Sequence, residues 1–268
     1  RVMTNVGSQR TQGVSGTVKY SPVYHPEERI NWTLSASFKH QKAKYEDIGN
    51  SLDQFNKENL NTSLVRYYDG GSPTALWAVR SLGINPSDGR ELFLTKEGTY
   101  TFEYDTEDEV VVGNSEPKLE GVLGSTLYWK GFSFSLYFRY SLGADVFTEA
   151  TYNKVENISL AGLKSNQDKR ALHDRWQKPG DHAKFKGISL TETTPISSRF
   201  VLRENYIKAE SISIGYDFES QAVQKLGIQS LRLQANTTDL FRISSIKEER
   251  GIEYPFARSF SFSLSAMF

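Results

Sequence analysis

Along much of the chain, apolar and polar residues alternate with a period of two, the pattern of a strand with one apolar and one polar face. Val14, Gly16, Val18 and Tyr20 alternate with Ser15, Thr17 and Lys19 as far as breaks at Pro22 and Pro26. Ile30, Trp32, Leu34, Ala36 and Phe38 then alternate with Asn31, Thr33, Ser35 and Ser37, and the short link between the two runs predicts a hairpin. A second hairpin is clearer. Leu119, Gly121, Leu123, Ser125, Leu127 and Trp129 share one face, Lys130-Gly131 supplies a tight turn, and Phe132, Phe134, Leu136, Phe138, Tyr140 and Leu142 return on one parity. Strand patterning resumes at Ile212, Ile214, Tyr216 and Phe218 and again at Leu231, Leu233 and Ala235, across a short link from Glu219 to Gly227 with helical character. The final stretch sets Phe260, Phe262, Leu264, Ala266 and Phe268 against Ser259, Ser261, Ser263 and Ser265.

Between these runs the two-residue period disappears over about 44–117, 148–201 and 239–254. Connections rarely exceed about 15 residues without a functional reason, so the first of these gaps is expected to be a folded excursion. Short links fall on one side of the inferred wall and long ones on the other, the asymmetry of a transmembrane barrel with periplasmic turns and extracellular loops. The two strands of the first hairpin each have about the 9 to 11 residues that cross a bilayer at a tilt. Seven strands are visible, whereas closed bacterial barrels have even counts from 8 upward. The expected fold class is therefore all-β: the C-terminal portion, about seven antiparallel strands, of a large transmembrane β-barrel with long extracellular loops. The last strand would run inward and end on Phe268, with Phe260, Phe262, Leu264 and Phe268 serving barrel closure and assembly. Alternation alone also fits a soluble carbohydrate-binding β-sandwich.

Composition shifts the balance toward the wall. Only 38% of the 268 residues are hydrophobic, yet 13% are aromatic, as girdles at two membrane interfaces require. Lys+Arg and Asp+Glu both number 32, which leaves no electrostatic case for nucleic acid as a partner. No Cys is present, which excludes disulfides, thiol catalysis and thiolate metal sites. No run approaches the roughly 18 apolar residues of a membrane helix, so a spanning chain must span with strands. The chain begins at Arg1 with no charged-then-apolar leader, as expected of a processed or internal start.

Candidate chemistry is sparse. His25, His40, His173 and His182 have no metal-ligand spacing, and no cofactor is implied. Asn85 to Glu91 has only a faint likeness to a calcium loop, spoiled by Pro86, and reads as a turn. The acidic run Glu103 to Glu109 reads as a solvated loop face rather than a cation site. No serine–histidine–carboxylate or paired-acid constellation stands out, so catalytic residues are none, and an outer-membrane barrel enzyme is the weakest of the alternatives.

Several loop motifs resemble one family. Trp77-Ala78-Val79-Arg80-Ser81-Leu82-Gly83-Ile84-Asn85-Pro86, Gly89-Arg90-Glu91-Leu92-Phe93, and Gly113-Asn114 with Pro117 resemble the loop signatures of the SusC/RagA class of TonB-linked outer-membrane transporters. Arg175-Trp176-Gln177-Lys178-Pro179-Gly180-Asp181, Asp239-Leu240-Phe241 and Tyr254-Pro255-Phe256-Ala257-Arg258-Ser259-Phe260 are similar to its later motifs, in matching order. The resemblance implies a 22-stranded barrel of which this chain supplies the last strands, with the plug domain and TonB box outside the sequence. It also implies a SusD-like surface lipoprotein lid, a TonB complex acting through the missing N-terminal part, outer-membrane lipid around the wall, and import of oligosaccharide or peptide across the outer membrane of a Gram-negative bacterium. On that reading the long loops touch cargo or lid, and Trp77, Arg80, Asp88, Arg90, Tyr100 and Tyr104 are the contact candidates, with Phe102 a further ring. Arg175, Trp176 and Asp181 are expected to fix loop structure instead.

Overall fold

The computed structural model describes residues 5–189, 191–218, 225, 227–247 and 258–268. In chain order its strands are β1 (Ser8–His25), β2 (Ile30–Glu46), β3 (Ala75–Ile84), β4 (Glu91–Leu94), β5 (Tyr100–Thr101), β6 (Glu109–Asn114), β7 (Leu119–Trp129), β8 (Phe132–Phe147), β9 (Val201–Phe218), β10 (Ser230–Thr238), β11 (Arg242–Ser244) and β12 (Phe260–Met267). A single short helix, α1 (Asp53–Glu58), lies between β2 and β3 among the described residues. The long strands form one antiparallel sheet in the order β1-β2-β7-β8-β9-β10-β12, with β11 beside β9.

Two compact units divide the chain. A wall unit comprises Gly13–Gln41, Pro117–Gly143 and Glu204–Phe268; a loop unit comprises the stretch ending at Gln12, Lys42–Glu116 and Ala144–Arg203.

In the wall unit the register joins the apolar parities predicted from the sequence. Trp129 lies opposite Phe132, Leu127 opposite Phe134 and Leu123 opposite Phe138. Trp32 meets Leu127 and Ala36 meets Leu123 on the other side of β7. Leu233 faces Tyr216 and Ala235 faces Ile214, and β12 continues the pattern with Leu264 opposite Leu233 and Phe262 opposite Ala235. A one-residue slip anywhere would move a whole apolar set to the other face. The opposite parity carries directly paired charges, Lys39 with Glu120 at 3.1 Å and Arg232 with Asp217. Lys130 and Gly131 both have positive φ, which closes the β7–β8 turn with the twist of the flanking strands.

The apolar face stays open. Val18 is 65% exposed, Trp129 51% and Phe262 77%. Among the described residues of the wall unit none covers that face, in contrast to the covered face of a sandwich core.

Glycine and aromatic side chains interlock across the wall. Gly121 and Tyr140 are cross-strand partners, as are Gly124 and Tyr137. A Cβ on Gly124 would lie 2.8 Å from the Tyr137 ring, and one on Gly16 would lie 2.7 Å from the Phe38 ring. At Gly121 the fit has a further purpose. The β2–β7 pairing runs from Ile30↔Trp129 to Ala36↔Leu123 and resumes at Lys39↔Glu120, omitting Ser37 and Phe38. In the gap the Ser37 hydroxyl accepts from the Val122 N–H at 2.9 Å, and the Tyr140 hydroxyl donates to the Ser37 carbonyl at 2.9 Å. Side chains thus satisfy backbone groups that the ladder leaves out, as an apolar environment demands.

Sequence expectations needed correction at several boundaries. β1 continues through Pro22 to His25 and stops at the Pro26–Glu28 turn, so only the second of the two prolines ends the strand. β9 begins at Val201 rather than Ile212, and its early part carries ion pairs such as Glu204 with Arg242 and Glu210 with Arg139 in place of alternation. Most of the link predicted to be helical, Glu219 to Gly227, lies outside the described residues, as do 248–257 with the Tyr254-Pro255-Phe256-Ala257 motif.

Candidate functional site

The loop unit holds the buried hydrophobic core. Val79, Val155 and Phe200 are fully buried, and Ala78, Phe93, Ala171 and Ile196 are buried with them. Its scaffold is a four-stranded antiparallel sheet, β5-β4-β3-β6, inside the first excursion. The central strand β3 buries Ala75, Leu76, Ala78 and Val79 in succession, so both faces are covered and no two-residue period survives. The second excursion packs on it: Val79 bridges Ser197, the Ser81 N–H donates to the Ser198 hydroxyl at 2.9 Å, and Phe200 stacks edge-on against Tyr152 at 5.1 Å.

Asn85 to Arg90 forms a turn at the end of β3. The Asn85 N–H donates to the Arg90 carbonyl and the Gly89 N–H to the Asn85 carbonyl, both at 2.8 Å. Gly89 has φ +73°, and a Cβ there would sit 2.5 Å from the Trp176 indole, so glycine is required twice over. Trp176 donates its Nε1–H to the Pro86 carbonyl at 2.9 Å, and the Gly180 N–H reaches the same oxygen at 2.8 Å. Between this clasp and the segment 186–195 lies a cleft of about 400 Å³, walled by Asp88, Arg90, Phe102, Tyr104, Trp176 and Glu192 among others. That volume falls in the range of small-molecule sites.

Beneath the cleft sits a buried ionic network. Arg199 donates to Glu91 at 2.9 Å and to Glu156 at 2.8 Å, and both carboxylates are almost wholly buried. The Ser197 hydroxyl completes Glu91 at 2.6 Å, and the Thr194 hydroxyl completes Glu156 at 3.0 Å. Burial works against charge on Arg199, but the bonds to Glu156 and Glu91 outweigh it and hold its pKa above the ordinary value. Arg175 lacks a direct carboxylate partner of this kind; burial lowers its pKa, and its guanidinium donates to the carbonyls of Ala171, Lys186 and Glu156. Burial also raises the Tyr104 pKa, helped by the charge of Glu109.

The candidate residues divide. Asp88, Arg90 and Tyr104 line the cleft, with Arg90 paired to Asp88 at 2.7 Å and centred 4.2 Å over the Phe102 ring. That pairing holds the Asp88 carboxyl below its usual range. Trp77, Arg80 and Tyr100 are not among the lining residues. Trp77 packs on Tyr68 at 5.3 Å, Arg80 donates to the Thr95 carbonyl at 2.6 Å, and Tyr100 is 73% exposed. Arg175 and Asp181 hold loop backbone, the latter accepting from the Gln177 and Lys178 N–H groups at 3.0 Å, while Trp176 both clasps Pro86 and walls the cleft.

The acidic run is not a solvated face throughout. Asp105 accepts from the Glu107 N–H, Asp108 from the Lys96 N–H, and Glu109 is buried in a bidentate pair with Arg66 at 2.8 and 3.0 Å. Burial raises the Glu109 pKa against the pull of Arg66. Glu91, Glu156 and Arg199 escaped the sequence reading because the partners lie 108 and 43 residues apart.

An antiparallel sheet with an open apolar face, paired charges on the other face and long folded insertions at one kind of link defines a stretch of transmembrane β-barrel wall. No family model matches the chain. Over 91% of its length it is 21% identical to the TonB-dependent receptor P39 of Formosa agariphila and, in a separate alignment of equal coverage, 24% identical to the TonB-dependent receptor P26 of that organism. Those alignments take in 27% and 26% of the two receptors, so the chain spans about a quarter of the length of these relatives. A chain in the structure of the RagAB peptide importer in the 'open-open' state superposes with a TM-score of 0.74 over 98% of this chain and 29% of that one, at 17% identity. For the 'closed-closed' state the TM-score is 0.70 over 91% and 27%, again at 17% identity. More particularly, then, the chain is similar in sequence to TonB-dependent receptors and in fold to a stretch of a chain from the RagAB peptide importer.

Proposed function

We propose that this chain supplies late wall strands and two folded extracellular loops of a TonB-dependent importer in the outer membrane of a Gram-negative bacterium. The importer takes up oligosaccharide or peptide, beneath a SusD-like surface lipoprotein that covers the mouth. Energy comes from a TonB complex acting through an N-terminal part that lies outside this sequence. The importer carries out transport and no chemical conversion. The observation that carries this reading is the apolar face, in register across β2, β7 and β8 and again across β9, β10 and β12, with Phe132 of β8 meeting Tyr216 of β9, and open to its surroundings. Hydrocarbon is the partner that such a face fits, and it is far too large an apolar surface for a monomer in water. The likeness to a peptide importer supports the transport class, and the cleft of the loop unit gives cargo or lid a place to bind.

Within this scheme Phe260, Phe262, Leu264 and Phe268 close and anchor the wall. The test is outer-membrane fractionation of the full-length protein with heat-modifiable gel migration, followed by cargo uptake with and without an energised inner membrane. Membrane residence, heat-modifiable migration and energy-dependent uptake are expected; a detergent-free soluble monomer would sink the proposal. Removing Phe268 should lower the folded fraction in the membrane far more than Trp77→Ala does, and equal losses would remove the closing strand from the scheme.

A further inference from the structure

We propose that the two long excursions form one rigid jaw whose gape is preset, with Trp176, Gly180 and Arg199 as positioning residues for the cleft. Each wall of the cleft comes from a different excursion. Asp88, Arg90, Phe102 and Tyr104 belong to the first, and Trp176 and Glu192 to the second. Loops of independent mobility would leave such a cleft undefined; three separate ties prevent this.

The outer tie is the Pro86 carbonyl, which accepts from both the Trp176 indole and the Gly180 backbone. A β-carbon at position 89 would prevent the indole from lying there. The floor is tied by Arg199, which joins Glu91 of β4 to Glu156, a residue of the turn that follows β8. The back is tied by Asn61 and Tyr104. The Asn61 side-chain oxygen accepts from the Ile196 N–H at 2.9 Å, and the Tyr104 hydroxyl donates to the Ile196 carbonyl at 3.1 Å. These ties flank a shared core of Val79, Phe93, Val155 and Phe200, so separating the excursions would expose apolar surface and unpair buried charges together. Packed elements of this kind switch between discrete arrangements rather than deform gradually. The cleft therefore meets its ligand preformed, and both excursions open or close as a body. Assigning the cleft to cargo rests on the import reading; the rigidity does not.

No Cys of this chain competes with introduced labels, and any Cys elsewhere in the full-length protein is first replaced by Ser. Ser87→Cys and Gln177→Cys, both at exposed positions across the clasp, carry spin labels in the full-length protein in detergent, and the distance between them is measured by pulsed electron resonance. One narrow distance population is expected. Trp176→Phe, which keeps a ring but removes the N–H donor, should raise a second, longer population about tenfold, the effect of losing one hydrogen bond of about 1.4 kcal/mol. Arg199→Gln should raise it further, while heat-modifiable migration, reporting the wall, stays unchanged. A broad distribution in the parent would overturn the proposal, and so would a narrow one that neither substitution alters. If a variant fails to fold, the parent distribution alone still decides. A narrow distance in a protein that never reaches the membrane would refute import and leave the jaw standing.

Discussion

The wall and loop units use the same residue types toward opposite ends. Among the buried hydrophobic residues of the described chain, every one except Ala209 belongs to the loop unit. The wall unit instead presents Val18, Trp129, Phe262 and their neighbours to the outside. The loop unit also buries its charges, in Arg66–Glu109 and Glu91–Arg199–Glu156, whereas the wall's Lys39–Glu120 pair is partly exposed on the polar face. A long link between strands is commonly thought of as connecting material, yet here the connection holds the buried core and the sheet leaves its apolar face open. Stability in the one comes from internal packing, and in the other from backbone pairing plus whatever covers the apolar face.

That contrast can be broken at several strengths. Arg199→Met leaves two buried carboxylates without their cation, and removing one partner of a buried ionic set costs about 3–5 kcal/mol. Denaturant unfolding followed through tryptophan fluorescence should show the loop unit losing that stability, with the wall's heat-modifiable migration intact. Phe262→Lys acts on the other unit. A cation on the lipid face costs about 2–4 kcal/mol at mid-membrane depth, so folded yield in bilayers should drop while cleft geometry is preserved. Tyr140→Phe removes only the hydroxyl that serves the Ser37 carbonyl, for about 1 kcal/mol in wall stability, read as a lower urea midpoint in detergent-free bilayers.

The smallest effect concerns pH. Two backbone N–H groups hold the Asp181 carboxyl below its usual range. A depressed carboxylate contributes stability that is fully present above the unfolded pKa and disappears as pH falls through the folded one. Hydrogen exchange at Gln177 and Lys178 should therefore accelerate only on acidification beyond the ordinary Asp range, and Asp181→Asn should remove that acid-dependent step.

Much of the wall was legible because each strand there has one apolar and one polar face; Leu119 to Leu142 could be paired by parity before any coordinates, and β12 fell beside β10 as its alternation required. The loop sheet was not legible for the converse reason. β3 is covered on both sides and β5 has two residues, so neither imposes a period. At the site, Asp88 and Arg90 could be picked out because a Pro-Ser-Asp-Gly turn announces itself and its charges are local. Trp77 could not be placed from the sequence, because an aromatic in a loop motif fits packing as well as binding; in the structure it packs on Tyr68. Phe102, in contrast, reached the cleft under Arg90. Arg199 was invisible, since nothing in a Ser-Ser-Arg-Phe stretch marks the partners that the fold brings from β4 and the Thr151–Glu156 turn.

The stitch at Gly121 links strands that are not neighbours. The Ser37 carbonyl of β2 is served by the Tyr140 hydroxyl, and Tyr140 reaches it only across the bare backbone of Gly121 on the intervening strand β7. Without β8 folded back along β7 that carbonyl would lack this donor, and an unmet carbonyl in an apolar medium is costly. The tie thus spans three strands through the middle one, so the tight Lys130-Gly131 turn, which returns β8 along β7, also serves the backbone of β2 two strands away.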